Sequence, residues 1–491
     1  MVRRRSALDP VVVLVVAAAV PAFGLWRLAS WADARADDGA APAVQAPAVQ
    51  EPVAAIGPAM PTPLLSFRRT ADELSDRLNL GAFRSSVQPL LDRVGERSCV
   101  AVATGGVIVG ERHIDRAVLP ASSLKIVVAA VALDVLGAQH RYVTRVVGPP
   151  VVDGVVTGDV HLVGGGDPVL ASDWYPDSGL DRFPVFNTTS LDDLARRVAA
   201  AGVREIRGSV IGDGSRYDDE FYVGSWGGGV AGVEAGPYDA LLVNDARVLG
   251  DDQRGSDPAS AAAREFVRLL GEVGVAVSGG AGSGPAPVTA VEFARIESAA
   301  LPAVIEEMLT TSDNNTAELV VKEIGVAVAG VGTRQAGLDA IVARLSSWGI
   351  DTAGLVLGAG SGLSLDNRLT CGQLLGVLQR PDIGPTISAA LPVAGRTGTL
   401  SEVFVDSEVA GRLRGKTGTL NNPPFDQDPP AVKALAGYLP VEGDDPIEYV
   451  LVLNGPTISD QREYREIWAE LVAALVSYPA VATPTQLGPV R

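Results

Sequence analysis

The sequence predicts a mixed α/β (α+β) protein: a central antiparallel sheet flanked by helices, interrupted by inserted α+β material. Three observations carry this. Ser98–Arg112 (SCVAVATGGVIVGER) has two apolar runs around Gly105-Gly106, the pattern of a hairpin. Far along the chain, three β-like runs, Arg412–Leu420, Val432–Leu439 and Ile447–Asn454, are followed by a helical stretch, Asp460–Ser477. Between these ends, from Arg141 to about Ser298, short β-like runs alternate with helical ones across Gly- and Asp-rich turns. Early and late strands can close one sheet, with terminal helices on one face and middle helices on the other.

Taken in order, Met1–Arg5 carries Arg3, Arg4 and Arg5 ahead of an uncharged run, Pro10–Trp26. Its length falls between a signal-peptide core and a spanning helix, and the arginines place the N-terminus in the cytoplasm. The expectation is a basic tail (1–9), a membrane anchor or uncleaved signal (10–30) and an Ala/Pro-rich linker (31–63) in which APAVQ repeats. Ala32-Asp33-Ala34 leaves cleavage and secretion as the alternative. After the hairpin, Pro120-Ala121-Ser122-Ser123 opens an apolar helix, LKIVVAAVALDVLG, stopped by Gly137. The middle region offers strands at Arg141–Gly148, Val156–Val163, Glu205–Ile211 and Leu241–Val248, and helices at Leu191–Ala201 and Ser260–Val273. GGGDP (Gly164–Pro168) reads as a tight turn. Helices return at Pro302–Leu309, Thr316–Ala329 and Arg334–Trp348, and Asp366-Asn367-Arg368 reads as the cap of a helix starting near Thr370. The chain thus divides into a core of 64–145 and 299–480, inserted α+β domains at 146–298 and a tail, 481–491.

With 491 residues and 47% apolar content the chain can bury a large core. A net charge of −18 argues against a nucleic-acid partner, which requires a basic face. Only three histidines occur, none in a recognisable motif, so a hydrolytic base is expected to be another residue. H-E-x-x-H is absent and the two cysteines lie far apart, so zinc is not expected. In an oxidising compartment those two, Cys99 and Cys371, permit one disulfide; two separate buried thiols are the alternative.

GKT in GRLRGKTGTL invites a phosphate-loop reading. The spacing fails: Gly411 precedes Gly415 by one position too few, and TGTLNNPP cannot start the required helix. Ser122-Ser123-Leu124-Lys125 offers different chemistry. On a helix, positions three apart share a face, so Ser122 Oγ can approach Lys125 Nζ, and a desolvated lysine can lose its proton near neutral pH and serve as a base. By itself this spacing more often means a helix start and a solvated lysine. Two further elements follow in order: Ser312-Asp313-Asn314 between two helices, and Lys416-Thr417-Gly418 on the first late strand. Ser-x-x-Lys, Ser-Asp-Asn and Lys-Thr-Gly in this order form the signature set of penicillin-binding proteins and serine β-lactamases.

On these motifs, together with LVGGGDPVL, GDGSRYDD, SDNNTAE, GSGLSLDNRLT, LPVAGRTGTL and GKTGTL, the chain from about Leu64 to Ser477 resembles the low-molecular-weight class C penicillin-binding proteins, D-alanyl-D-alanine carboxypeptidases/endopeptidases. The long interval between Lys125 and Ser312 fits their inserted domains. The resemblance implies a penicillin-binding/serine β-lactamase-like catalytic domain, peptidoglycan stem peptides as substrate, β-lactams as covalent inhibitors, no cofactor and no metal. It implies Ser122 as nucleophile, Lys125 as base and Ser312 as proton relay. Asn314, Lys416, Thr417, Gly418 and Thr419 would hold substrate, and backbone N–H groups of Ser122 and Thr419 would form the oxyanion hole. A non-catalytic murein-binding scaffold, a β-lactamase and a D-amino-acid esterase on the same fold are the rival readings. The sequence departs from the pattern at Leu365, where many relatives carry Arg, at Ala359 and at Asn421; Glu234 is a weak candidate for meeting the stem's free amine. These departures bear on side-chain specificity.

Overall fold

A computed structural model describes residues 71–226, 229–251, 253–421 and 431–480. The expected basic tail, apolar run, Ala/Pro-rich linker and final tail lie outside the described residues, and among the described residues no helix is long and apolar enough to cross a membrane.

Helix α1 (Ala71–Arg93) precedes a hairpin of β1 (Cys99–Thr104) and β2 (Val107–Arg112), and a 3₁₀ turn, Ala121–Leu124, leads into α2 (Lys125–Leu136). The middle region carries β3 (Val143–Gly148), β4 (Val160–Val163), α3 (Leu191–Ala200), β5 (Val210–Asp213), α4 (Pro258–Glu272), β6 (Ala281–Ser283) and β7 (Val291–Glu297). There follow α5 (Leu301–Thr311), α6 (Asn314–Ala329), α7 (Arg334–Ser347), α8 (Cys371–Leu378) and α9 (Gly384–Ala390). The described chain closes with β8 (Arg414–Leu420), β9 (Ala431–Leu439), β10 (Ile447–Gly455) and α10 (Gln461–Val476).

The central sheet runs β8-β9-β10-β1-β2, antiparallel at every pairing. Side chains alternate across a strand, so each strand feeds two cores. Val100 and Val102 meet Phe83, Val87 and Leu90 of α1 and Tyr464, Trp468 and Leu471 of α10. Ala101 and Ala103 meet α2 and the helices from α5 to α9. Both faces being covered, β9 and β10 are buried almost throughout, which is why AVKALAGYL and IEYVLVLNG read as continuous apolar runs rather than alternating ones. Helix α2 is buried along Lys125–Leu133, as its lack of a polar face requires. Cys99, at the head of β1, and Cys371, at the head of α8, are joined in a disulfide with both residues fully buried.

The inserted region builds its own sheet, β6-β5-β4-β3-β7, with α3 and α4 packed around a separate apolar cluster. Its first and last strands pair antiparallel from Val143↔Glu297 to Gly148↔Val291, closing the insertion at its neck. Four local expectations are corrected. Leu241–Val248 is not a strand: Asn244–Ala246 forms a tight 3₁₀ turn in left-handed backbone. Glu205–Ile211 breaks into Glu205–Ile206 and a separate β5, and Val156–Val163 likewise divides at Gly158. The cap of α8 is Thr370, in a reciprocal capping box with Gln373. The GGGDP stretch turns at Pro168-Val169 as expected, and it is also a packing crossing: a Cβ on Gly165 would lie 2.2 Å from the Val143 carbonyl, so no side chain fits there.

Candidate active site

Ser122 sits within the 3₁₀ turn and Lys125 begins α2. In 3₁₀ geometry residues i and i+3 eclipse, which stacks the pair more closely than an α-turn does. Lys125 Nζ is 3.0 Å from Ser122 Oγ, 2.8 Å from Asn314 Oδ1 and 2.6 Å from the Ser361 carbonyl. The turn is held in an unusual backbone: Ala121 has φ +48°. Gly362 backs onto it so closely that a Cβ there would fall 2.1 Å from the Ala121 carbonyl, in a backbone of φ +88° that itself disfavours any other residue.

Ser312 ends α5 in the left-handed conformation (φ +67°), and the next residue, Asp313, caps α6 by accepting from the Thr316 N–H. One helix stops and another starts within two residues, which explains why this turn is so compact. Ser312 Oγ accepts from Lys416 Nζ at 2.8 Å, while Asn314 turns to Lys125. Two serine–lysine pairs therefore meet here, each drawn from a different pair of elements.

Lys416 lies on β8, an edge strand. Gly415 donates its N–H to the Pro392 carbonyl, away from β9. By the alternation of an antiparallel ladder, the N–H groups of Thr417 and Thr419 point to that same outer edge. Gly418 packs closely against the Ser122 turn; a Cβ would sit 3.0 Å from the Pro120 carbonyl. Thr417 is half-buried, and Thr419 and Asn421 are exposed beyond it.

Burial governs the electrostatics. Lys125 and Lys416 are both fully buried, and neither forms an ion pair among the described residues. Burial lowers the Lys125 amine to about 7, against the opposing pull of the Asp313 and Glu318 carboxylates. Lys416 is pushed well below the ordinary lysine range, first by burial and then by the charge of Lys125. A neutral amine suits the Lys125 position. Its two N–H groups can serve Asn314 Oδ1 and the Ser361 carbonyl, leaving a lone pair for the Ser122 hydroxyl.

The structure brings together Ser122, Lys125, Ser312, Asn314 and Lys416, with Thr417, Gly418 and Thr419 on the adjacent edge. Glu234 has an exposed side chain; its backbone carbonyl accepts from Asn314 Nδ2 at 2.9 Å. Leu365 is half-buried against the core. Two contributors were missed from sequence. The Ser361 carbonyl touches Lys125, and the fully buried Glu318 holds that loop by accepting from the N–H groups of Gly360 and Ser361 at 3.0 and 2.8 Å. Glu318 could have been found: it follows Asn314 by one helical turn, on the same face. The first TGTL copy, Thr397–Leu400, forms a short 3₁₀ turn whose Gly398 packs on the Thr310 carbonyl, and Arg396 forms no part of the serine–lysine cluster.

The architecture and the paired serine–lysine arrangement define the penicillin-binding/β-lactamase-like class. The sequence matches the D-Ala-D-Ala carboxypeptidase 3 (S13) family over residues 88–249 and 242–476, and the chain belongs to that family: it is a serine D-Ala-D-Ala carboxypeptidase of the penicillin-binding type. A D-alanyl-D-alanine carboxypeptidase of Actinomadura sp. (strain R39) is 30% identical over 473 residues, covering 76% of this chain and 82% of that one. A carboxypeptidase of Mycobacterium tuberculosis is 32% identical over 360 residues, covering 70% and 73%. Penicillin-binding protein 4 of Haemophilus influenzae shares the fold, with a TM-score of 0.63 at 19% identity, covering 79% of this chain and 99% of that one; the same protein has also been solved with a β-lactam bound.

Proposed function

We propose that the reaction proceeds through an acyl-enzyme on Ser122. Lys125, as the neutral amine, takes the hydroxyl proton while Ser122 Oγ attacks the carbonyl carbon between two D-alanines. The tetrahedral oxyanion is met by the backbone N–H groups of Ser122 and Thr419, each such donor lowering the barrier by about 3–4 kcal/mol. Collapse breaks the C–N bond. The proton reaches the leaving D-alanine nitrogen through Ser312, whose Oγ is held by Lys416. Water then cleaves the ester and regenerates Ser122. Asn314 aligns the substrate amide, and Lys416, Thr417, Gly418 and Thr419 line the strand edge that takes the terminal carboxylate. The observation that carries this reading is the 3.0 Å Ser122–Lys125 contact, with the lysine buried and lowered to about 7.

The substrate is the D-Ala-D-Ala end of peptidoglycan stem peptides, and β-lactams acylate the same serine. The arginine-flanked apolar run and the Ala/Pro-rich linker support an extracytoplasmic enzyme tethered to the membrane, and the disulfide favours an oxidising compartment. Labelling the purified protein with a fluorescent penicillin and assaying D-alanine release from a stem peptide tests the chemistry. Labelling that Ser122→Ala abolishes, together with D-alanine release, is expected. Labelling that survives Ser122→Ala overturns the nucleophile; labelling without release favours the scaffold reading, and rapid penicillin turnover the β-lactamase. Recovery of the full-length chain in washed membranes is expected, and a soluble form beginning after Ala34 overturns the tether.

A further inference from the structure

The inserted domain contains a backbone feature that the reaction scheme leaves unexplained. Asn244, Asp245 and Ala246 have φ of +51°, +57° and +61°, three successive non-glycine residues in left-handed backbone. Each is sterically disfavoured, and such a run persists only where its surroundings over-determine it. Here they do. Asn244 Oδ1 accepts from the Ser172 N–H at 2.7 Å and its Nδ2 donates to Ser172 Oγ at 3.0 Å, while the Gly255 N–H donates to the Ala246 carbonyl at 2.8 Å.

The consequence is where the Asp245 carboxylate ends up. Its Oδ1 accepts from Asn315 Nδ2 at 2.7 Å and its Oδ2 from Arg254 Nη2 at 2.7 Å. Arg254 Nη1 donates to the Gly236 carbonyl at 3.1 Å, and the Gly236 N–H donates to Asn315 Oδ1 at 2.7 Å. These four bonds close a ring through Asp245, Arg254, Gly236 and Asn315. The ring is shielded from water: the Arg254 and Asp245 side chains are 13% and 17% exposed, and Asn315 is 3% exposed. Next to it, the Glu234 carbonyl accepts a hydrogen bond from Asn314 Nδ2. A carbonyl can only accept, so this bond fixes the Asn314 amide with Oδ1 facing Lys125. The first two residues of α6 are thus oriented by the inserted domain rather than by their own helix.

We propose that Asp245 and Arg254 are positioning residues, which hold the Ser312-Asp313-Asn314 turn in register with Lys125. The proposal rests on the serine–lysine reading above. It separates from mere domain anchoring by rate: a displaced Asn314 slows acylation of a folded enzyme, whereas a lost anchor lowers the number of competent molecules.

The test measures, on the purified protein, both the second-order rate of fluorescent-penicillin labelling and the final label per chain. Asp245→Ala and Asn315→Ala are each expected to slow labelling about ten- to a hundredfold, the scale of an ångström-sized misplacement, while still reaching full label. The double variant is expected to be no slower than the slower single one, because both break one ring. Arg254→Lys, which keeps a cation on Asp245, is expected to lose less than Arg254→Ala. An Asp245→Ala rate within about twofold of wild type, full rate at reduced stoichiometry, or multiplicative losses in the double variant overturns the proposal. Should Asp245→Ala not fold, Arg254→Ala carries the same comparison. A wild-type protein that takes no label overturns the Ser122 reading instead.

Discussion

Among the described residues three lysines are wholly buried, and they are treated differently. Lys322, on α6, meets Asp218 Oδ1 at 2.6 Å, donates to the Glu220 carbonyl at 2.9 Å and stands 5.0 Å from the Tyr238 ring centre. Lys125 and Lys416 meet only neutral oxygens: hydroxyls, an amide and carbonyls. An ammonium taken out of water without a counter-charge is destabilised, and it relieves that penalty by giving up its proton. The first environment makes a cross-link and the second favours the neutral amine. The difference is which atoms arrive around each nitrogen.

Removing the active-site amines should give the largest effects. Lys125→Ala and Lys416→Ala are expected to lower penicillin acylation by about a thousandfold or more, since activating a serine by a base contributes roughly 10²–10⁴ and each lysine also places a partner group. Folding should survive, because deleting a desolvated amine removes a burial penalty; a thermal melt as low as that of an unfolded control would show that these lysines are structural after all. Next comes pH. The base form of Lys125 is the deprotonated one, and its lowered value puts that form within reach near neutrality. Acylation should rise as pH increases through about 7 and fall roughly tenfold per unit well below it. A flat profile from pH 5 to about 8 would remove Lys125 as the base.

The contrasting lysine should fail in the other way. Lys322→Met is expected to cost about 3 kcal/mol of stability by stranding Asp218 and two carbonyls, less than a fully enclosed pair because Asp218 is 38% exposed, with near-normal acylation of the molecules that remain folded. Urea melts read against label per folded chain check this. Cys371→Ser should likewise be a stability lesion, about 2–5 kcal/mol, from loosening the unfolded chain across a long loop. The smallest effect belongs to Arg396→Ala, beside the first TGTL: acylation within about twofold of wild type, against the collapse expected of Lys416→Ala at the second. The reverse order would exchange the two copies' roles.

The serines and lysines that the structure brings together were legible because two of their three motifs are short local spacings. Ser122 and Lys125 are three apart, Ser312 to Asn314 are consecutive, and β8 announces itself by apolar neighbours. Glu318 could be placed on the Asn314 face from spacing, but the partners of the supporting groups were not legible, because they lie far apart in sequence: Gly360 and Ser361 for Glu318, Asn315 for Asp245. The misreading of Leu241–Val248 has the same origin. LLV and the later Val248 suggest a strand, but the backbone N–H and hydroxyl of Ser172 and the side chains of Arg254 and Asn315 hold the intervening residues in a conformation that local preference opposes. Asp366-Asn367-Arg368 looked like a helix cap, yet Asn367 instead accepts from the N–H groups of Gly358 and Ala359, bracing the loop ahead of Ser361.

The central sheet also fixes the order in which this enzyme can come into being. Strand β1, just before the Ser122 turn, gains its second neighbour only when Cys99 aligns with Val452 on β10, whereas the inserted sheet closes over a much shorter interval at Val143↔Glu297. Contacts between distant segments form slowly, and units with nearby ends form first. The inserted region is therefore expected to fold ahead of the machinery it braces. A chain halted before Ile447 would possess Ser122, Lys125 and Lys416 but no sheet to seat them on, so activity has no partial form and appears only when the late strands arrive.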